Sequence, residues 1–190
     1  MCLYLWRDID VVYSQEELDT PRKSPYGTTT REQKNGIEFD ILEFKELENY
    51  SNNLGLDFIV SCWDYNSLDD VENNLNGTGK PVIVSVGMAT QDEIDSALGI
   101  LDNVKYVLAC TSTYPTKPEE INLRYVTTLK NKYPNLKVGF SSHYNGNDAC
   151  VGAVTLGAEC VEFHITVDRA MYGSDQSASI EHTTSFVTAI

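Results

Sequence analysis

Two histidines, His143 and His164, each close a short apolar run, and a Gly/Ala-rich helical segment from about Asp148 to Gly157 lies between the runs. Imidazole is the commonest side-chain metal ligand, and two of them brought together can hold a divalent ion. Alternate residues along a strand share a face, so Ser141 points with His143 and Glu162 points with His164. A Ser/His end beside a Glu/His end makes a hydrophilic pocket on an otherwise apolar sheet. On spacing alone, the favoured reading of each histidine is a strand cap bonded to a nearby carbonyl, with metal ligation as the alternative.

The elements that must position these side chains form a strand–helix–strand unit. Parallel strands joined by a helix deliver both C-terminal ends to one edge of a sheet, where ligand sites of such sheets lie. Two imidazoles 21 positions apart are thereby expected to be neighbours. Six strands are expected along the chain: Leu3–Trp6, Asp57–Cys62, Pro81–Ser85, Val104–Cys110, Leu136–Ser141 and Glu159–His164. Helical patterns alternate with them at Asp40–Asn53, Leu68–Asn74, Gln91–Leu101, Glu119–Lys132 and Asp148–Leu156, with a last one from about Thr183. This alternation predicts an α/β protein with a parallel sheet. Thr90 and Glu93 read as a capping box, and Gly55 suits the residue just past a helix. Residues 76–81 (Asn-Gly-Thr-Gly-Lys-Pro) read as a turn. The segment from Asp19 to Gly36 is polar, marked by Pro and Gly, and carries Arg22, Lys23, Arg31 and Lys34; it reads as a long loop of the kind that is either functional or merely solvated.

The 190 residues suffice for one sizeable core, and no linker or low-complexity tract divides them, so one domain is expected. A net charge of −14 argues against nucleic acid and anionic membrane as partners, since both are bound through Lys/Arg clusters. An anionic small molecule remains compatible if a metal, a lysine or a helix N-terminus meets it locally. No apolar run reaches membrane-spanning length, and acidic residues follow Met1 too closely for a secretory signal. Five scattered cysteines without CxxC spacing read as buried free thiols in a reducing cytoplasm.

Several blocks resemble the sialic acid synthase (N-acetylneuraminate synthase, NeuB-like) family. They are Arg7-Asp8-Ile9-Asp10, the Ser24–Phe39 run, Ser61-Cys62-Trp63-Asp64, Gly79-Lys80-Pro81, and Ser85 through Thr90. Further on come Cys110-Thr111-Ser112-Thr113-Tyr114-Pro115, Gly139 through His143, Gly152 through Ala158, and Glu162 through Asp175. The resemblance implies a (β/α)8 TIM-type barrel, here incomplete with about six βα units. It implies condensation of phosphoenolpyruvate with N-acetylmannosamine or a related amino sugar to a nine-carbon sialic acid, with release of phosphate. A divalent ion, Mn2+ or Mg2+, would be held by His143 and His164. Ser85, Ser112 and Ser141 match donors to phosphoenolpyruvate, Tyr114 and Asp175 match positions that hold the sugar, and Glu162 is the candidate catalytic residue. Full-length relatives are expected to form homodimers.

Departures from the family pattern are also visible. Leu3 and Leu5 occupy places where relatives carry a lysine and a glutamine, and Ser142 stands where they carry an aspartate. A strand bearing a further lysine and serine has no counterpart between Asp64 and Gly79, and neither the first strand nor the C-terminal antifreeze-like domain is matched. These departures keep open a degenerate, non-catalytic paralogue or fragment that binds a sugar or a partner chain. His182 matches no ligand position and reads as a surface residue.

Overall fold

Eight of the ten described strands pair in parallel, and each parallel pairing needs a crossover connection rather than a tight hairpin. The structure, a computed structural model, describes residues 2–74 and 79–182. The chain divides into two compact units, residues 1–80 and 81–190, taken one at a time below.

In the first unit, β1 (Cys2–Trp6) is followed by two short helices, α1 (Ile9–Val12) and α2 (Gln15–Asp19), then a hairpin of β2 (Pro21–Ser24) and β3 (Gly27–Thr29). Next come α3 (Thr30–Asn35), α4 (Ile41–Asn53), β4 (Phe58–Cys62) and α5 (Tyr65–Asn74). β1 and β4 pair in parallel from Cys2↔Phe58 to Trp6↔Cys62. The core is aromatic. Phe44 of α4 is fully buried and stacks on Trp6 with ring centres 4.2 Å apart, while Tyr4 and Phe39 meet it edge-on. Asp40 caps α4 and forms a reciprocal box with Glu43. Gly55 follows the helix at φ +70°, the left-handed position where a side chain would be strained. At the ends of β1 and β4, Asp64 accepts from the Asp8 amide and from both the amide and hydroxyl of Ser67. Burial pushes this carboxyl up, but those donors outweigh it and hold it below the usual carboxylate value.

The expected long loop at Asp19–Gly36 is corrected here. Its residues form the β2–β3 hairpin, closed by Pro25 and Tyr26, and the α3 helix capped by a Thr29/Glu32 box. Glu32 accepts from the amides of Thr28 and Thr29, which draws the carboxyl below its ordinary value and fastens the hairpin to the helix. Arg31 reaches back to Asp10 and Gln15, so this segment is knitted to the helices before it.

In the second unit, β5 (Val82–Ser85), α6 (Gln91–Ile100), β6 (Val104–Cys110), α7 (Arg124–Lys132), β7 (Lys137–Ser142), α8 (Asp148–Thr155) and β8 (Val161–Phe163) alternate, giving a parallel sheet in the order β5-β6-β7-β8. A small parallel pair, β9 (Ile165–Thr166) and β10 (Ile180–Glu181), follows. One sheet face carries Val86, Val107, Ala109, Val138 and Phe140 against Ile94, Val126, Leu129, Ala149 and Ala153 of the helices. The strands and helices are βα units of an incomplete (β/α)8-type barrel. All six expected strands are present to within two residues at each end. The Thr90/Glu93 capping box opens α6 as expected. The helix expected from Glu119 instead begins at Arg124: a 3-10 turn at Pro118–Glu120 comes first, and Asn122 at φ +49° breaks the helical path between them. Residues 76–78 of the expected turn and the helix expected from Thr183 lie outside the described residues. Among the described residues, no helix is long and apolar enough to cross a membrane.

Of the four cysteines whose side chains are described, all are free thiols and only Cys150 is fully buried. The expectation of uniformly buried thiols therefore fails for Cys62, Cys110 and Cys160, which lie at strand ends or edges with one side open.

Candidate functional site

Sheet register places the polar residues of the second unit in two rows on the face opposite the helices. Cys110 pairs with Ser141, and Ser141 with Glu162, so these three stand side by side across β6, β7 and β8. Two residues further along each strand direction come Ser112, His143 and His164. The period-2 alternation keeps both rows on one face. Ser141 Oγ donates to Glu162 Oε1 at 2.8 Å, tying the lower row together.

The upper row holds the imidazoles. The ring centres of His143 and His164 are 5.3 Å apart, inclined at 57°. His143 is 5% exposed, and its backbone oxygen accepts from the Thr116 amide. Its Nδ1 lies 2.8 Å from the Thr111 carbonyl oxygen. A carbonyl only accepts, so Nδ1 carries the proton and the lone pair of the neutral ring is on Nε2. Tyr114 Oη, 2.8 Å away, donates to that Nε2, and the two ring centres lie 3.9 Å apart with the planes tilted by 32°. The Tyr114 ring also meets His164 edge-on at 5.8 Å.

His164 leaves the sheet between β8 and β9. Its carbonyl accepts from the Ile180 amide, folding residues 167–179 back over the strand end. That return brings Asp175 Oδ2 to 3.8 Å from His164 Nδ1. Burial, with Cys110, Asp175 and Glu162 nearby, pushes the Tyr114 phenol up to about 12. Burial also pushes the Cys110 thiol up, but His143, Ser112 and Ser141 together outweigh it and leave the thiol below its ordinary value. Cys62 and Cys150, by contrast, are pushed up to about 11 by burial.

The structure thus brings together His143, His164, Tyr114, Ser141, Glu162 and Asp175. Ser112 stands beside them, its hydroxyl 3.8 Å from Cys110 Sγ. Gly87 makes room for it: a Cβ there would overlap the Ser112 hydroxyl and press on Cys110. Ser85 shares the face but stays exposed at the end of β5, outside the cluster. His182 is exposed, as expected of a surface residue. Cys110 and the Thr111 carbonyl were absent from the sequence-derived site. Alternation would have found Cys110, two positions before Ser112; a backbone carbonyl has no residue signature. The lowered thiol gives a direct expectation. Brief iodoacetamide treatment near neutral pH should alkylate Cys110 before Cys62 and Cys150, read by peptide mass spectrometry; either of those two labelling first refutes the assignment.

The donor set suits a small divalent ion. An imidazole that gives Nδ1–H to a carbonyl and coordinates through Nε2 is the usual metal-binding arrangement. Two imidazoles on one ion, with bonds of about 2.1 Å, stand roughly 5 Å apart between ring centres, close to the separation here. Among the described residues, no group of three or more His, Cys, Asp or Glu side chains is arranged to hold a metal. Water or substrate would complete the coordination.

The comparisons agree with this architecture. The chain is 31% identical over 199 residues to N-acetylneuraminate-9-phosphate synthase of Mus musculus, covering 92% of this chain and 55% of that protein. It is 31% identical over 172 residues to N,N'-diacetyllegionaminic acid synthase of Campylobacter jejuni, covering 76% of this chain and 51% of that one. The chain therefore spans about half the length of the curated relatives it matches. Among solved structures, an N-acetylneuraminic acid (sialic acid) synthetase from Leptospira borgpetersenii, in complex with citrate, superposes with a TM-score of 0.71 at 29% identity, covering 77% of this chain and 59% of that one. The sequence model of the NeuB family matches residues 73–188, which hold every residue of the two polar rows, and the chain belongs to that family.

Proposed function

We propose that the chain is the catalytic part of a sialic-acid-type synthase, joining phosphoenolpyruvate to an open-chain N-acetylated amino sugar and releasing phosphate. The observation that carries this reading is the pair of imidazoles 5.3 Å apart above the Cys110–Ser141–Glu162 row. In the reaction, the methylene carbon of phosphoenolpyruvate bonds to the aldehyde carbon, whose oxygen takes up a proton; water adds to the carbon that bore the phosphate, and phosphate departs with C–O cleavage. His143 and His164 would hold Mn2+ or Mg2+, which when bound supplies Lewis-acid polarisation of the aldehyde oxygen.

The protein's own groups bind and orient. Ser141 fixes Glu162, which in this reading exchanges a proton with the sugar or the attacking water. Tyr114 and Asp175 face the imidazoles and hold sugar hydroxyls; Ser112 and Ser85 donate to the carboxylate and phosphate of the second substrate. The homodimer and the cytoplasmic setting belong to the same proposal. Incubation with phosphoenolpyruvate, N-acetylmannosamine and Mn2+ should yield a nine-carbon acid and one phosphate per turnover, both suppressed by a chelator. Turnover undiminished by chelation would remove the metal from the mechanism.

A second reading rests on β1. Leu3 and Leu5 are 43% and 37% exposed, at positions where the resemblance expects a lysine and a glutamine. Two apolar side chains there give no charge to set against a trianionic substrate. A non-catalytic sugar binder would show calorimetric binding of the amino sugar and none of phosphoenolpyruvate.

A further inference from the structure

The Nε2 lone pair of His143 has two claimants. Because Nδ1 gives its proton to the Thr111 carbonyl at 2.8 Å, Nε2 is the ring's only acceptor, and Tyr114 Oη sits on it at 2.8 Å. A cation shared by His143 and His164 must take that same lone pair. From this geometry we infer that Tyr114 is a latch: its hydroxyl holds His143 Nε2 in the metal-free protein and is displaced when the ion enters.

The surroundings fit a latch that moves without tearing the site. The Tyr114 ring centre lies 3.9 Å from that of His143, tilted by 32°, and edge-on to His164 at 5.8 Å, so the hydroxyl can swing off Nε2 while the ring keeps aromatic contact. Tyr114 is half exposed, and the chain around it is anchored elsewhere: Thr116 is buried, takes the His143 carbonyl with its amide and donates its hydroxyl to the Thr113 carbonyl. Thr111 is fixed through its hydroxyl to the Glu120 carbonyl. The ring nitrogen that faces the latch is therefore presented by a rigid frame, and the latch itself is the exposed side chain. Once displaced, the phenol hydroxyl is released beside the imidazole pair, where an incoming sugar hydroxyl would meet it. Metal entry and acceptor binding are then linked through one side chain, each favouring the other.

This inference rests on the metal reading above, and its test separates the two. Mn2+ alone is titrated calorimetrically into the wild-type chain, Tyr114→Phe and His143→Ala, with circular dichroism melts to show that each is folded. Phenylalanine keeps the ring contacts and removes only the competing hydrogen bond, so Tyr114→Phe should bind Mn2+ about three- to tenfold more tightly than the wild type. A merely structural role for Tyr114 predicts the opposite sign. Equal or weaker binding by Tyr114→Phe, with His143→Ala still unable to bind, overturns the latch and leaves the metal site standing. Wild-type binding no better than that of His143→Ala removes the metal site, and the latch with it.

Discussion

Alanine at His143 or at His164 is expected to abolish both Mn2+ binding and synthase turnover. The loss should exceed the roughly 10- to 100-fold that follows when only an outer partner of a metal ligand is removed. The two variants are not equivalent controls. His143 is buried and bonded on both nitrogens, so its removal leaves the Thr111 carbonyl and the Tyr114 hydroxyl without their partner and costs about 1–3 kcal/mol of stability as well. His164 is partly exposed and its carboxylate neighbour is 3.8 Å away, so His164→Ala should lose function with little loss of stability. Equilibrium binding of Mn2+ and phosphate release, measured on both, decide the matter. Full turnover in either variant sinks the assignment, and the His164 variant cannot be excused by misfolding.

The largest stability effect is expected in the first unit, from Phe44→Ala. Phe44 is 0% exposed and touches Trp6, Tyr4 and Phe39. Removing a buried phenyl ring costs about 3–5 kcal/mol, and the stacked and edge-on pairs add about 0.5–1.5 kcal/mol each where they are lost. Set against the 5–15 kcal/mol that typically separates folded from unfolded domains, this is enough to leave a substantial unfolded fraction. Urea denaturation should show a lower midpoint with little change of slope. Leu42→Ala, on the same helix but 70% exposed, should stay within about 0.5 kcal/mol of wild type. Similar midpoints for the two variants would deny the aromatic cluster its role as the core.

Strand–helix alternation was legible because each buried strand is a short apolar run and each helix carries a capping signal or a periodic stripe. The proximity of His143 and His164 was legible for the same reason: one βαβ unit fixes both strand ends on a common edge. The hairpin at Pro21–Thr29 was not. Its strands are polar and three or four residues long, its Pro-Tyr turn lacks an Asn-Gly signature, and its stability comes from backbone bonds and the Glu32 carboxylate rather than from alternation. The Thr29/Glu32 box follows the same T-x-x-E rule as Thr90/Glu93, but no apolar run follows it to mark a helix. Within the site, Ser141–Glu162 followed from parity. The Thr111–His143 and Tyr114–His143 bonds did not, because they depend on the path of a connecting segment after β6 and on a carbonyl that every residue possesses.

The two-residue pairing of β9 with β10 gives the imidazole pair unequal footing. His143 rises from β7, flanked by a strand on each side, whereas among the described residues the His164–Asp175 side is fastened in the backbone by the Ile180 and His182 amides. Local opening costs least where fewest bonds must break, so amide hydrogen exchange is expected to be faster at Ile165 and Thr166 than along β7.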